Sequence, residues 1–244
     1  MFEVFCVVSR GNSPHGNDDR AVINGHIITE GEYKTTAESV LAVVCDGVSG
    51  EKFGDLAAEM AVRYFSELPP VIPEEEELKT HIRNINDKIF SEQKKEKLKD
   101  SMSTTIAGLY LDSDSSYMAF NIGDSSIFRF RMSYLAKLSE DHTLSKELEE
   151  IGLTPKEYQK NIITRSLGGS VNVLPYIDNG KGRLFDEDVF IICSDGITDF
   201  IDGEELEQII DENKNTEDIC RTLVNTALDN GSCDNISVIS IRRV

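Results

Sequence analysis

Positive charge is scarce in this chain: 25 lysines and arginines stand against 44 aspartates and glutamates, a formal net charge of −19 over 244 residues. That balance argues against nucleic acid and anionic membrane surfaces as partners, since both need a basic footprint. Cations are favoured instead, although runs such as Glu74-Glu75-Glu76-Glu77 are ordinary solvated surface. Long apolar runs are missing too, with no stretch near the roughly 18 residues of a membrane span. The N-terminus, MFEVFCVVSR, has neither the charged segment nor the long apolar segment of a secretory leader. The five cysteines (Cys6, Cys45, Cys193, Cys220, Cys233) are odd in number and show no CxxC spacing, which fits a reduced compartment. A soluble, unprocessed, cytoplasmic protein is the expectation.

Several catalytic signatures are absent as well. There is no G-x-x-x-x-G-K-[ST] phosphate loop and no G-x-S-x-G elbow, and no cysteine has an arginine six positions on, as a cysteine phosphatase would require. The length suits one domain with one substantial core, and neither repeats nor linkers divide it.

What is present is strand-rich. Short runs of Val, Ile and Phe at 4–8, 40–45, 105–111, 117–122, 127–131, 189–193 and 236–241 have strand length and composition. Helical periodicity marks 54–68, where Leu56, Met60 and Phe65 recur, and also 75–96, 203–213 and 216–230. Strands in runs with grouped helices predict an α+β protein, a central antiparallel β-sandwich covered by helices. The charged segment 145–161, with Gly152 and Pro155, breaks the pattern and reads as a small flap insertion.

Three apolar strands run into an aspartate, at Asp46-Gly47, Asp124 and Asp195-Gly196, and a fourth is preceded by one in Cys233-Asp234-Asn235. Singly, Asp-Gly is a common hairpin turn. In antiparallel neighbours, however, the end of one strand lies beside the start of the next, so four carboxylates could share one edge. Unit charges about 4 Å apart repel by roughly 4 kcal/mol at an effective dielectric near 20, so such a site calls for counter-cations. All-oxygen ligation suits Mg²⁺, Mn²⁺ or Ca²⁺ rather than zinc. Glycine after Asp46 lets the backbone approach an ion, and Asp46 is placed to bridge two ions that would activate a water for attack on a phosphoryl group.

In chain order, Gly11…Asn17-Asp18-Asp19, Asp46-Gly47-Val48-Ser49-Gly50, Ser103-Thr104-Thr105, Asn121-Ile122-Gly123-Asp124-Ser125, Glu140-Asp141-His142, Thr164-Arg165-Ser166-Leu167-Gly168, Ser194-Asp195-Gly196-Ile197-Thr198-Asp199 and Asp234-Asn235-Ile236-Ser237-Val238 together resemble the metal-dependent protein phosphatase family, type 2C, in its compact bacterial form. The resemblance runs from about residue 3 to 242. It implies a four-layer fold, a β-sandwich flanked by pairs of helices, and hydrolysis of phosphoserine and phosphothreonine in proteins with two or three Mn²⁺ or Mg²⁺ ions. By position, Asp46 matches the bridging aspartate and Gly47 the backbone-carbonyl ligand. Asp195 and Asp234 match the other carboxylates of the first metal, Asp18 the acid holding a metal-bound water, Asp19 the acid beside it, and Asp124 with Asp195 a third-metal site. Phosphorylated targets of a serine/threonine kinase are the implied partners, and a monomer is expected.

One departure concerns the substrate. The family's phosphate-binding arginine lies four residues before the acid matched by Asp18, and Pro14 stands there instead. Arg10, His15 or Arg20 could supply the missing positive group, with Arg165 more distant, and His15 could also act as a general acid. The usual Gly-Gly after the bridging aspartate becomes Val48-Ser49-Gly50. Three other readings compete: a haloacid dehalogenase-type nucleophile at Asp112-Ser113-Asp114, a pseudophosphatase that binds phosphoproteins without turnover, and a structural Ca²⁺ site.

Overall fold

Strand runs that are apolar at every position need both faces covered, and the computed structural model covers them. It describes residues 1–48, 53–95, 102–112, 116–171, 173–180 and 184–244. Its strands are β1 (Phe2–Ser9), β2 (Arg20–Ile23), β3 (His26–Ile28), β4 (Gly31–Ala37), β5 (Val40–Cys45), β6 (Ile106–Leu111), β7 (Tyr117–Ile122), β8 (Ser126–Arg131), β9 (Tyr134–Lys137), β10 (Tyr176–Gly180), β11 (Val189–Cys193) and β12 (Ile236–Arg243). Its helices are α1 (Gly54–Ser66), α2 (Glu75–Lys95), α3 (Leu144–Glu150), α4 (Asp195–Thr198), α5 (Gly203–Glu212) and α6 (Thr216–Asp229).

Two six-stranded sheets form, in the orders β4-β1-β12-β11-β8-β9 and β10-β7-β6-β5-β2-β3. Every pairing is antiparallel. Side-chain alternation sorts each strand between two cores. Val40, Ala42 and Val44 of β5 meet Phe190 and Ile192 of β11 between the sheets. Leu41, Val43 and Cys45 face α1 and α2, while Val189, Ile191 and Cys193 face α4, α5 and α6. The result is the expected helix–sheet–sheet–helix stack.

Some expectations need correction. The stripe on α1 does not include Leu56, which is 36% exposed: the buried face is Ala57, Ala58, Ala61, Val62 and Phe65, with Met60 half-buried beside it. Small alanines let the helix axis approach the sheet, which large side chains would hold off. Strands β4, β9 and β10 lack apolar runs because they lie at sheet edges, where one side faces solvent, and β2 and β3 are too short to register as runs. Asp112 N–H donates to Ser116 O at 3.0 Å in the β6–β7 hairpin, which fits a turn rather than a nucleophile, although residues 113–115 lie outside the described residues. Ser49 and Gly50 lie outside them too. Within 145–161, α3 is capped by Thr143 and has no buried side chain, and the base of the excursion is closed by Leu144 N–H to Ile162 O at 2.8 Å.

Candidate active site

The two sheets bring their acid-bearing ends together. In one, Cys193 pairs with Val238, so Asp195 after β11 lies beside Asp234 before β12. In the other, Cys45 pairs with Arg20, so Asp46 after β5 lies beside Asp19 before β2. Asp124 sits in the turn by which the chain passes from β7 in one sheet to β8 in the other. Both sheets thus contribute acids to one edge of the sandwich.

The backbone of Asp46 is fixed on both sides. Its N–H donates to Thr105 Oγ1 at 3.2 Å, and its carbonyl accepts from Thr105 N–H and Thr104 Oγ1, each at 2.8 Å. Only the side chain is left to face the other acids. Gly47 N–H donates to Asp18 O at 3.3 Å. Glycine is required there because a Cβ would stand 2.4 Å from the Gly54 carbonyl carbon at the start of α1.

The carboxyls push one another toward neutrality. Desolvation raises Asp46 well above the usual carboxylate range, with the charges of Asp195, Asp19, Asp124 and Asp234 adding to it. Asp195 is raised likewise, by burial and then by Asp124, Asp234, Asp199 and Asp19. Burial carries Asp19 up to about 7, against the opposing hydrogen bond from Ser194 Oγ to Asp19 Oδ2 at 2.9 Å. Asp124 rises to about 6, through burial and then Asp141 and Asp199. Asp18 is raised by desolvation and by Asp55 and Asp234, while Arg20 and His15 pull it down.

Divalent cations fit this donor set. Its groups are all oxygens, its acids outnumber the cations that act on them, and Asp124 Oδ1 is buried with no hydrogen-bond partner. Among the described residues no three His, Cys, Asp or Glu side chains close on a single point. Mutual repulsion favours that spread, and water and backbone oxygens remain to complete a coordination shell of six.

The candidate phosphate groups divide. Arg20, an expected ligand, is engaged elsewhere: its guanidinium meets Glu59 at 3.3 Å and donates to the carbonyls of Asn17 at 2.6 Å and Asp19 at 2.7 Å. Arg10 and His15 are exposed on the loop that leads to Asp18, with Arg10 Nε donating to Ser13 O at 2.9 Å. Arg165 is exposed too, and its charge acts on His142. Beside the acids, a cleft of about 250 Å³ separates Asp124, Asp195 and Asp199 from Thr143, Lys160 and Asn161 of the excursion. Sequence reasoning assigned no role to Thr104, Thr105, Ser194 or Asn235, although each lies in a quoted motif, and Asp55 carried no signal beyond being an acid in the first turn of a helix.

An acidic all-oxygen centre beside an open cleft suits divalent cations and the phosphate-ester hydrolysis they support. The comparisons agree. A family model described as protein phosphatase 2C matches residues 31–230, and the chain belongs to that family. It is 32% identical over 216 residues to the protein phosphatase PhpP of Streptococcus pneumoniae, covering 84% of this chain and 87% of that one. The solved serine/threonine phosphatase of S. agalactiae superposes with a TM-score of 0.84 at 25% identity, covering all of both chains. The catalytic domain of the serine/threonine phosphatase PstP, solved in complex with two manganese ions, superposes with a TM-score of 0.79 at 20% identity over 99% of each chain, a likeness of fold. The protein is a metal-dependent protein serine/threonine phosphatase.

Proposed function

We propose that Asp46 would serve two Mn²⁺ or Mg²⁺ ions, with Asp195 and Asp234 as further carboxylates for one and Asp18 for the other. The carrying observation is that Asp46 after β5, Asp19 before β2, Asp124 between β7 and β8, Asp195 after β11 and Asp234 before β12 gather at one end of the two sheets. Gly47 offers its carbonyl, Asp19 supports Asp46 from behind, and Asp124 with Asp195 can hold a third ion. Bound there, the ions would supply Lewis acidity to a water and to the phosphoryl oxygens.

The chain's own residues do the rest. Arg10 and His15 hold the phosphate, and the His15 imidazole donates a proton to the departing serine or threonine oxygen. Substrates are phosphoproteins made by a serine/threonine kinase. The whole chain acts as one domain and as a monomer in the cytoplasm, and the excursion 145–161 acts as a flap that selects among substrates. Among the described residues no helix is long and apolar enough to cross a membrane. Retention of Asp18, Asp19, Asp46, Asp124, Asp195 and Asp234 in the sequence weighs against binding without turnover. Hydrolysis of p-nitrophenyl phosphate and a phosphothreonine peptide by EDTA-stripped protein tests this reading. Turnover should return with Mn²⁺ or Mg²⁺ and stay absent in Asp46→Asn, and turnover supported by Ca²⁺ alone would contradict it.

A further inference from the structure

Two segments more than 200 residues apart meet at one buried amide. Asn235 Nδ2 donates to Arg10 O at 3.0 Å and to Gly16 O at 3.1 Å, while Oδ1 accepts the Asp18 N–H at 2.8 Å. Its own backbone N–H donates to Asp234 Oδ1 at 2.7 Å. One residue thus reads both ends of the loop 10–18 with its side chain and orients a cluster carboxylate with its main chain. We propose that Asn235 is a positioning residue: it holds this loop in register with Asp234, so that Arg10 and His15 meet the substrate phosphate over the acidic centre. The inference rests on the assignment of those two residues to the phosphate.

The surroundings leave the amide little freedom. Gly11 takes φ +59°, and a Cβ on it would stand 2.3 Å from Asp234 O. Asn12 Nδ2 donates to Ser232 O at 3.2 Å. From the other side, a Cβ on Gly196 would stand 2.0 Å from Asn235 O. The turn before β12 is therefore clamped between the loop and the start of α4. Within the loop, Pro14, His15 and Gly16 are exposed, so polar ties rather than a packed core set its shape. An amide of this length supplies two donors and an acceptor at once, which aspartate, alanine and serine do not.

The kinetic consequence follows from populations. A loop that is competent only a fraction of the time weakens apparent substrate affinity by that fraction, while the complex, once formed, has the same geometry. Removing the side-chain amide should therefore raise KM and spare kcat. Removal leaves the backbone N–H to Asp234 in place, so metal activation should be spared too.

The test uses full-length protein, saturating Mn²⁺ and p-nitrophenyl phosphate. Asn235→Ala is expected to raise KM about tenfold, with kcat and the Mn²⁺ activation constant each within about threefold of wild type. Combined with His15→Ala, its effect on KM should fall short of the product of the single effects, because both act through one loop. If Asn235→Ala lacks a wild-type circular dichroism spectrum, Asn235→Asp, which keeps the acceptor and loses both donors, is expected to show the same split. An unchanged KM, a raised Mn²⁺ constant in its place, or fully multiplicative effects would overturn the proposal. If Arg10→Ala and His15→Ala themselves leave KM unchanged, the phosphate assignment fails and takes this inference with it. If they raise KM and Asn235→Ala does not, this inference fails alone.

Discussion

Ser194 Oγ donates to Asp19 Oδ2 at 2.9 Å, joining the residue that follows β11 in one sheet to the residue that precedes β2 in the other. The same hydroxyl accepts the Ser237 N–H at 3.0 Å. A single side chain therefore ties the two sheets at the end where the aspartates gather.

Ser194→Ala should consequently cost stability as well as geometry. It removes one donor from the buried Asp19 carboxyl and leaves the buried Ser237 N–H without a partner, a loss of about 1–3 kcal/mol. Urea denaturation of the EDTA-stripped protein checks it, and an unchanged midpoint would show that the tie is not needed.

The acids give the metal-free protein an unusual pH dependence. Asp19 at about 7 and Asp124 at about 6 titrate above their unfolded value of 3.8, with Asp46 and Asp195 raised as well. The folded state then binds more protons than the unfolded one between pH 4 and pH 7, so stability falls as pH rises through that window. EDTA-stripped protein should melt at a higher temperature at pH 5.5 than at pH 8. Saturating Mn²⁺ should remove the difference, because bound cations stabilise the ionised carboxylates. At pH 8, Asp46→Asn should stabilise the stripped protein by about 1–2 kcal/mol, since charge repulsion at a functional cluster is relieved.

His142 carries the opposite sign. Burial, followed by the charge of Arg165, lowers it to about 4 from 6.5, and its Nδ1 accepts the Gly123 N–H at 3.0 Å. With its folded value depressed, the unfolded state binds the proton first, so this group removes stability as pH falls from 6.5 toward 4. The shift corresponds to about 3 kcal/mol. Asn at this position can still accept from Gly123 but cannot titrate. The stability difference between wild type and His142→Asn, followed from pH 7 to pH 4.5, should change in favour of the variant, and a constant difference would contradict the assignment.

The flap reading has a separate test. The excursion is closed at its base and touches the site through Asn161 Nδ2, which donates to Asp199 Oδ2 at 2.6 Å. Replacing 145–161 by a short glycine-serine link should lower kcat/KM on a phosphoprotein about tenfold and leave p-nitrophenyl phosphate within about threefold, because only the larger substrate reaches it. Equal losses on both would count against selection by the flap.

The sequence was most informative where chemistry and strand pattern coincide. Asp46, Asp195 and Asp234 stood out because each lies near the end of a run buried on both faces; antiparallel pairing sets Asp195 beside Asp234, and the stacking of the two sheets sets Asp46 at the same end. The layered fold followed from the same runs. The face of α1 did not, because alanine carries little periodic signal yet permits the closest approach to the sheet. Strand β4 was silent, since an edge strand of Gly, Glu, Lys and Thr looks like a loop until β1 pairs with it. Arg20 was misleading for a related reason: an arginine next to an acid motif suggests a phosphate, and only its contacts with Glu59, Asn17 and Asp19 reveal a strut. Asn235 could not be assigned at all without knowing that residues 10–18 pass beside it.

Mn²⁺ titration calorimetry on EDTA-stripped wild type and Asp46→Asn at pH 7.5 tests the central claim most directly. If Asp46 bridges, wild type should bind at least two ions and the substitution should weaken every site that shares its carboxylate, with turnover lost in parallel. Two Mn²⁺ bound with wild-type affinity by Asp46→Asn would contradict it.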